Sequence, residues 1–196
     1  MLRSLFGRGK NRREPVAPAP DESIRAARVG DVVTLGGYSV EYDERLFFIE
    51  RIHRYSSPSD SWYELLCVDG DDKLWMDWTD SSELSVTVTE DTGPVGLAAT
   101  GLTEDDLILL DEEHSIDNCV TIDGENYYYR NSAEVLFFRD CKGPGDAFYQ
   151  WDFIRERGDV ALTITKWEGR PFEAVFSEAI APENVTLYQG ERRVPG

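Results

Sequence analysis

The chain has 196 residues, a formal net charge of −18, and 41% hydrophobic and 12% aromatic residues. That apolar content supports a buried core and excludes wholesale disorder, while the negative field disfavours a phosphate backbone as partner. With no run of about 18 apolar residues, no segment reads as a membrane-spanning helix, and the expected location is the cytoplasm.

Residues 1–20 read as a basic leader followed by a Pro/Ala linker. Arg3, Arg8, Lys10, Arg12 and Arg13 face a single acid, Glu14, and Pro15, Pro18 and Pro20 follow. Proline at that density suits neither helix nor strand. One expectation is an interfacial foot: Leu2, Leu5 and Phe6 enter the headgroup region, the basic residues meet anionic lipid, and the protein sits peripherally at the inner membrane face. The plainer expectation is a solvated basic tail.

A first β lobe is predicted over 21–90. Asp21 caps a short helix reaching Val29, with Ile24 and Ala27 on its apolar side. Strands follow at 32–35, 39–42, 46–54, 62–68, 73–78 and 84–89, because β-branched and aromatic residues there are punctuated by turn clusters. Residues 91–117 read as a connector with one helix, capped by Thr103 and starting through Glu104, Asp105 and Asp106. A second β lobe is predicted over 118–190, with strands at 119–122, 125–130, 134–140, 147–155, 160–167, 172–180 and 185–188, and residues 191–196 form a tail.

The second half echoes the first. Trp62 and Trp78 recur as Trp151 and Trp167 at an offset of 89, with a glycine, Gly70 or Gly158, between each pair. The expected fold is mainly β: two similar lobes from an internal duplication, each an antiparallel sheet or partly open barrel, joined by short connecting helices. The twin units can lay their apolar faces together or extend a single sheet, and the expectation is that the faces bury each other.

Val29-Gly30-Asp31-Val32-Val33, Trp62-Tyr63-Glu64 and Leu74-Trp75-Met76 resemble the start of the bacterial domain of unknown function numbered 4178. Tyr149-Gln150-Trp151-Asp152-Phe153 and the strand 162–168 resemble its later segments, although Lys166 stands where members often place glutamate. The resemblance spans roughly residues 28–190. It implies no established activity; it implies accessory proteins near membrane-stress and polyamine-linked functions, and so ranks hypotheses only.

The candidate ligand- or partner-binding residues are Trp62, Trp75, Trp78, Trp151 and Trp167 with Glu64, Asp77, Asp152 and Glu168. Tryptophan beside carboxylate makes a cation–π cage for a polyamine or a lysine; the plainer role is cross-strand core packing. Trp75 and Trp78, three apart on one strand, must point to opposite faces. Asp69-Gly70-Asp71-Asp72 fails the calcium-loop pattern and reads as a hairpin turn. Asp111-Glu112-Glu113-His114 reads as a solvated charge run, and His53 as strand surface. Cys67, Cys119 and Cys141 form no C-x-x-C pair and read as small buried thiols of a reducing compartment.

No nucleophile motif or phosphate loop is present. The favoured expectation is therefore a non-catalytic accessory or protein-interaction module with no metal and no cofactor, binding a protein partner or a basic surface. The alternative is a binding protein for a polycation such as a polyamine, held in an acidic, tryptophan-lined cleft. A third, an enzyme of unrecognised type, requires clustered carboxylates of perturbed pKa in a deep pocket.

Overall fold

The computed structural model describes residues 23–43, 45–80 and 83–190. The leader, including all eight residues of the expected membrane foot, and the tail 191–196 lie outside the described residues. No helix among the described residues is long and apolar enough to cross a membrane.

Among the described residues twelve strands form one antiparallel sheet. They are β1 (Val32–Leu35), β2 (Phe47–Ser56), β3 (Ser61–Asp69), β4 (Asp72–Asp80), β5 (Leu84–Glu90), β6 (Val95–Gly96), β7 (Cys119–Ile122), β8 (Glu125–Phe138), β9 (Asp146–Arg155), β10 (Val160–Trp167), β11 (Phe172–Ile180) and β12 (Val185–Tyr188). Their order is β12-β1-β2-β3-β4-β5-β11-β10-β9-β8-β7, with β6 paired to β11. β2 also pairs β8 through Arg54↔Phe138, Tyr55↔Phe137 and Ser56↔Leu136, so the middle of the sheet returns on itself. The closure is short, and β12, β1 and β7 continue beyond it, so the sheet is not a clean barrel.

The two strands that join the ends are long and bulged. β2 shifts register between Ile49 and Arg51, and β8 between Tyr129 and Asn131. A bulge bends a strand and adds twist. Each strand therefore pairs an outer neighbour with its first half and closes the sheet with its second. The break predicted between 130 and 134 is this bulge within one continuous strand. Residues 39–42 form a turn rather than a strand, whose Tyr42 ring packs on Phe47 at 5.8 Å. The predicted first helix is a single 3-10 turn, Ile24–Ala26.

Local chemistry explains the connections. The β3–β4 hairpin turns through Gly70 at φ 64°, and Arg45 bonds Asp69 at 2.8 Å and Asp72 at 2.7 Å, so the acids of the rejected calcium loop hold a turn together. Asp123 and Gly124, at φ 51° and 82°, join β7 to β8 with the positive angles that a two-residue hairpin needs. Helix α1 (Glu104–Glu113) starts in a reciprocal capping box between Thr103 and Asp106. Asp111 is not a solvated residue: it accepts from the hydroxyls of Tyr149, at 2.6 Å, and Ser132, pinning the helix to β8 and β9.

Two separate hydrophobic clusters result. The first gathers Leu65, Cys67, Leu74, Met76, Trp78, Val86 and Val88 under Val33, Leu35, Val185 and Leu187. The second gathers Tyr129, Trp151, Phe153, Leu162 and Ile164 under α1, through Leu107 and Leu110. Of the three cysteines, Cys67 is buried as expected, while Cys119 and Cys141 are exposed.

The expectation that twin apolar faces bury each other is corrected by these clusters. Each apolar face is covered by its own neighbouring elements, and the opposite, polar faces of β2–β5 and β8–β11 confront one another. The supposed repeat partners also differ. Trp62 and Trp167 face the inner space while Trp151 and Trp78 lie in the clusters. Corresponding residues of a duplicated unit should share a face, and these do not, so the tryptophan correspondence does not carry a duplication.

Candidate functional site

Strand alternation sends one set of side chains into the space between the two walls. β3 contributes Trp62 and Glu64, β4 Trp75 and Asp77, β9 Phe148, Gln150 and Asp152, and β10 Thr163, Thr165 and Trp167. These line two adjoining chambers of about 320 and 300 Å³, which share Trp62, Asp77, Gln150 and Thr163. Asp77 thus stands where the chambers meet. Glu90, Asp91 and Glu173 add carboxylates to the first chamber, and among the described residues no lysine, arginine or histidine lines it. The second chamber holds Asp60, Asp77 and Asp152 with one cation, Arg130.

Glu64 and Asp77 are direct cross-strand partners, and directly opposed side chains lie roughly 5 Å apart at Cβ. The Tyr55 hydroxyl donates to Glu64 Oε2 at 3.0 Å. Asp152 accepts from Gln150 Nε2 at 2.8 and 2.9 Å and from Thr163 Oγ1 at 3.1 Å. Asp77 Oδ1 is shut off from solvent and has no hydrogen-bond partner. A buried acceptor left unpaired costs on the order of 1–3 kcal/mol.

Burial pushes the Glu64 carboxyl up to about 7, against the opposing hydrogen bond from Tyr55. Burial also holds Asp77 well above the usual carboxylate range, reinforced by the negative charges of Glu64 and Asp152. Asp152 is raised by burial despite its hydrogen bonds. These carboxyls therefore hold their protons to higher pH than free carboxyls do.

Aromatic rings complete the lining. Tyr55 stacks on Trp62 at 5.2 Å, with an interplanar angle of 4°, and Trp167 stacks on Phe148 at 4.5 Å; Phe137 touches both pairs. Trp75 donates through Nε1 to Asp91 at 3.0 Å. His53 is buried, not a surface residue: only 4% exposed, it lies between Trp75 and Phe137 and accepts the Asp140 N–H on Nδ1 at 3.0 Å. Burial holds its pKa below the usual imidazole value, against the nearby Asp140 carboxylate. No group of three or more His, Cys, Asp or Glu among the described residues is placed to hold a metal.

Residues 35–182 match the family described as Domain of unknown function (DUF4178). The chain belongs to the DUF4178 family. No curated protein and no solved structure matches it.

In this DUF4178 chain the predicted site residues divide by the pleat. Trp62, Trp75, Trp167, Glu64, Asp77 and Asp152 converge on the chambers. Trp78 and Trp151 do not: at 8% and 7% exposure they belong to the two hydrophobic clusters, and Trp151 Nε1 donates to the Leu107 carbonyl at 3.2 Å. Each lies next in sequence to a lining acid, and adjacent strand residues point to opposite faces. Glu168 lies past the end of β10, exposed in a turn outside the chambers. The sequence reading missed Tyr55, Gln150, Thr163, Phe148, Glu90, Asp91 and Glu173, although Phe148, Gln150 and Asp152 carry a period-2 signal against Tyr149, Trp151 and Phe153.

This division sets a prediction for the DUF4178 core. Trp151→Ala is expected to cost about 3–5 kcal/mol of stability, measured by urea denaturation. Trp75→Ala, at a half-buried cavity wall, is expected to fold with a much smaller loss. Equal losses in both would contradict the assignment of faces.

Proposed function

We propose that the protein binds a small organic polycation, of the linear polyamine class, in the two-chambered cavity. The observation that carries this reading is the half-buried Asp77 at the junction, with one solvent-excluded, unpartnered oxygen, Glu64 opposite it and Asp152 near it. A chain of protonated amines separated by methylenes matches the site in kind: amines meet the carboxylates, and the methylenes lie along Trp62, Trp75 and Trp167. Acids in both chambers, either side of Asp77, support an elongated occupant with more than one charge.

This places the cation-binding alternative above the protein-interaction module as the role of this cavity, and the protein acts as a non-catalytic accessory that senses or holds its ligand. Titration calorimetry with spermidine tests it. We expect saturable 1:1 heat with wild type and at least tenfold weaker binding by Trp75→Ala. Absence of heat at millimolar spermidine would remove the proposal.

A second reading rests on Glu64, whose raised pKa suits a general acid–base group. In that case Glu64→Gln would bind a substrate normally and fail only in turnover. In the binding reading Glu64→Gln weakens equilibrium affinity itself.

A further inference from the structure

A second concavity, a groove of about 780 Å³, opens on the other side of β3 and β4. Its apolar floor includes Ile52 and the stacked rings of Tyr63 and Trp78, 4.7 Å apart. These rings point away from the acidic chambers, because they alternate with Trp62, Glu64 and Asp77 along their strands. The rim has the opposite charge sign to the chain as a whole: Arg25, Arg28, Arg51 and Lys142 against Glu50 and Asp140, on a protein of net charge −18. Among the described residues Arg28, Arg51 and Lys142 form no ion pair, whereas Arg45, Arg155 and Arg157 are each held by carboxylates.

The groove lies where the sheet splits. β1 pairs β2 at Phe47 and Phe48, and β8 joins β2 only from Arg54 onward. Between them, Glu50–His53 have no strand neighbour on that side, and the Ile52 carbonyl accepts the Cys141 thiol, a weak donor, at 3.5 Å. The turn carrying Lys142 is held in place at a cost. Asp140 and Cys141 both adopt left-handed backbone, at φ 51° and 56°, a conformation that costs about 1 kcal/mol or more per non-glycine residue. The Asp140 N–H bond to His53 and the Cys141 contact with β2 maintain it.

We propose that this groove docks an extended acidic segment of a partner protein, its carboxylates on Arg28, Arg51 and Lys142 and an apolar side chain on the Tyr63–Trp78 floor. Charge complementarity selects the acidic segment, and the aromatic floor takes an apolar side chain between the acids. Residues 1–13, with Arg3, Arg8, Lys10, Arg12 and Arg13, and the tail, with Arg192 and Arg193, have the wrong charge to occupy it.

The test uses the full chain, a capped octapeptide of alternating glutamate and valine, and calorimetry at low and high salt. Binding to wild type is expected at low salt. It should weaken at least tenfold at high salt, and at least tenfold in the double variant Arg51→Glu/Lys142→Glu, both exposed positions, with circular dichroism confirming its fold. The double variant should bind spermidine as wild type does, which separates this groove from the cavity. Three outcomes would overturn the proposal: no peptide binding at millimolar concentration, equal binding by the double variant, or equal affinity for polyphosphate of matched charge, which has no apolar side chain to seat on the floor. A concentration-dependent dimer in light scattering, lost in the double variant, would also overturn it by assigning the groove to a second copy of this chain.

Discussion

Asp77→Asn is expected to abolish spermidine binding at millimolar ligand and to stabilise the empty protein above pH 7. The carboxylate stands at the junction of the two chambers, with Oδ1 buried and unpartnered. Across the strand pair it faces Glu64, and Asp152 adds to the negative field around it. Without a ligand the arrangement is unfavourable: ionising Asp77 places one more negative charge beside two others in a poorly solvated space. Asparagine keeps the shape, removes the charge and supplies an amide that can donate to Glu64. With a ligand the balance reverses, because a desolvated ammonium–carboxylate contact is lost. Removing one partner of such a buried pair costs roughly 3–5 kcal/mol, at least a hundredfold in Kd. The checks are calorimetry with spermidine and thermal denaturation at pH 8. A variant that binds like wild type would refute the cavity as the cation site. A variant that binds weakly but is also destabilised would show that Asp77 supports the fold rather than the ligand.

Much of the strand pattern was legible in the sequence. β1, β7, β10, β11 and β12 begin and end where alternation and turn residues placed them, because period-2 patterning and glycine turns are local signals. The bulges at Glu50 and Arg130 were not, since a bulge keeps strand composition while shifting register. The pairings that shape the molecule were not legible either. β2–β8 and β5–β11 join residues 80 or more positions apart, and no local pattern specifies such partners.

The site was half legible for a related reason. Tryptophan next to acid in sequence selected the right neighbourhoods, but adjacency along a strand means opposite faces. Asp77 and Trp78, or Trp151 and Asp152, can never share a pocket on a regular strand. The face carrying Gln150, Asp152 and Thr163 would ordinarily read as the solvated side of an amphipathic sheet. Here the ring of strands turns that side inward and leaves the apolar side to be covered by β1, β12 and α1. Parity along β9 told which residues travel together; only the long-range closure told which set faces the enclosed space.

The second large effect is on pH. Raising the pH from 5 to 8 is expected to destabilise the ligand-free protein and to tighten spermidine binding. Glu64 has a folded pKa of about 7, above its ordinary value of 4.5, so between these values the folded state holds a proton that the unfolded chain has released. Its contribution to stability is complete below pH 4.5 and disappears as pH rises through about 7; by linkage this is on the order of 3 kcal/mol. Asp77 and Asp152, also raised, act with the same sign. His53, lowered by burial, acts oppositely: it removes stability as pH falls below 6.5, because the unfolded imidazole gains a proton the folded one refuses. Glu64→Gln separates the two, since it should flatten the decline on the alkaline side and leave the acid side unchanged. A bound polyamine needs the carboxylates ionised, so affinity rises through the same interval and binding releases protons. Calorimetry at pH 6 in two buffers of different ionisation enthalpy reads that release directly. Heats that do not depend on the buffer, with affinity constant from pH 5 to 8, would mean that the cation does not sit on Glu64 and Asp77.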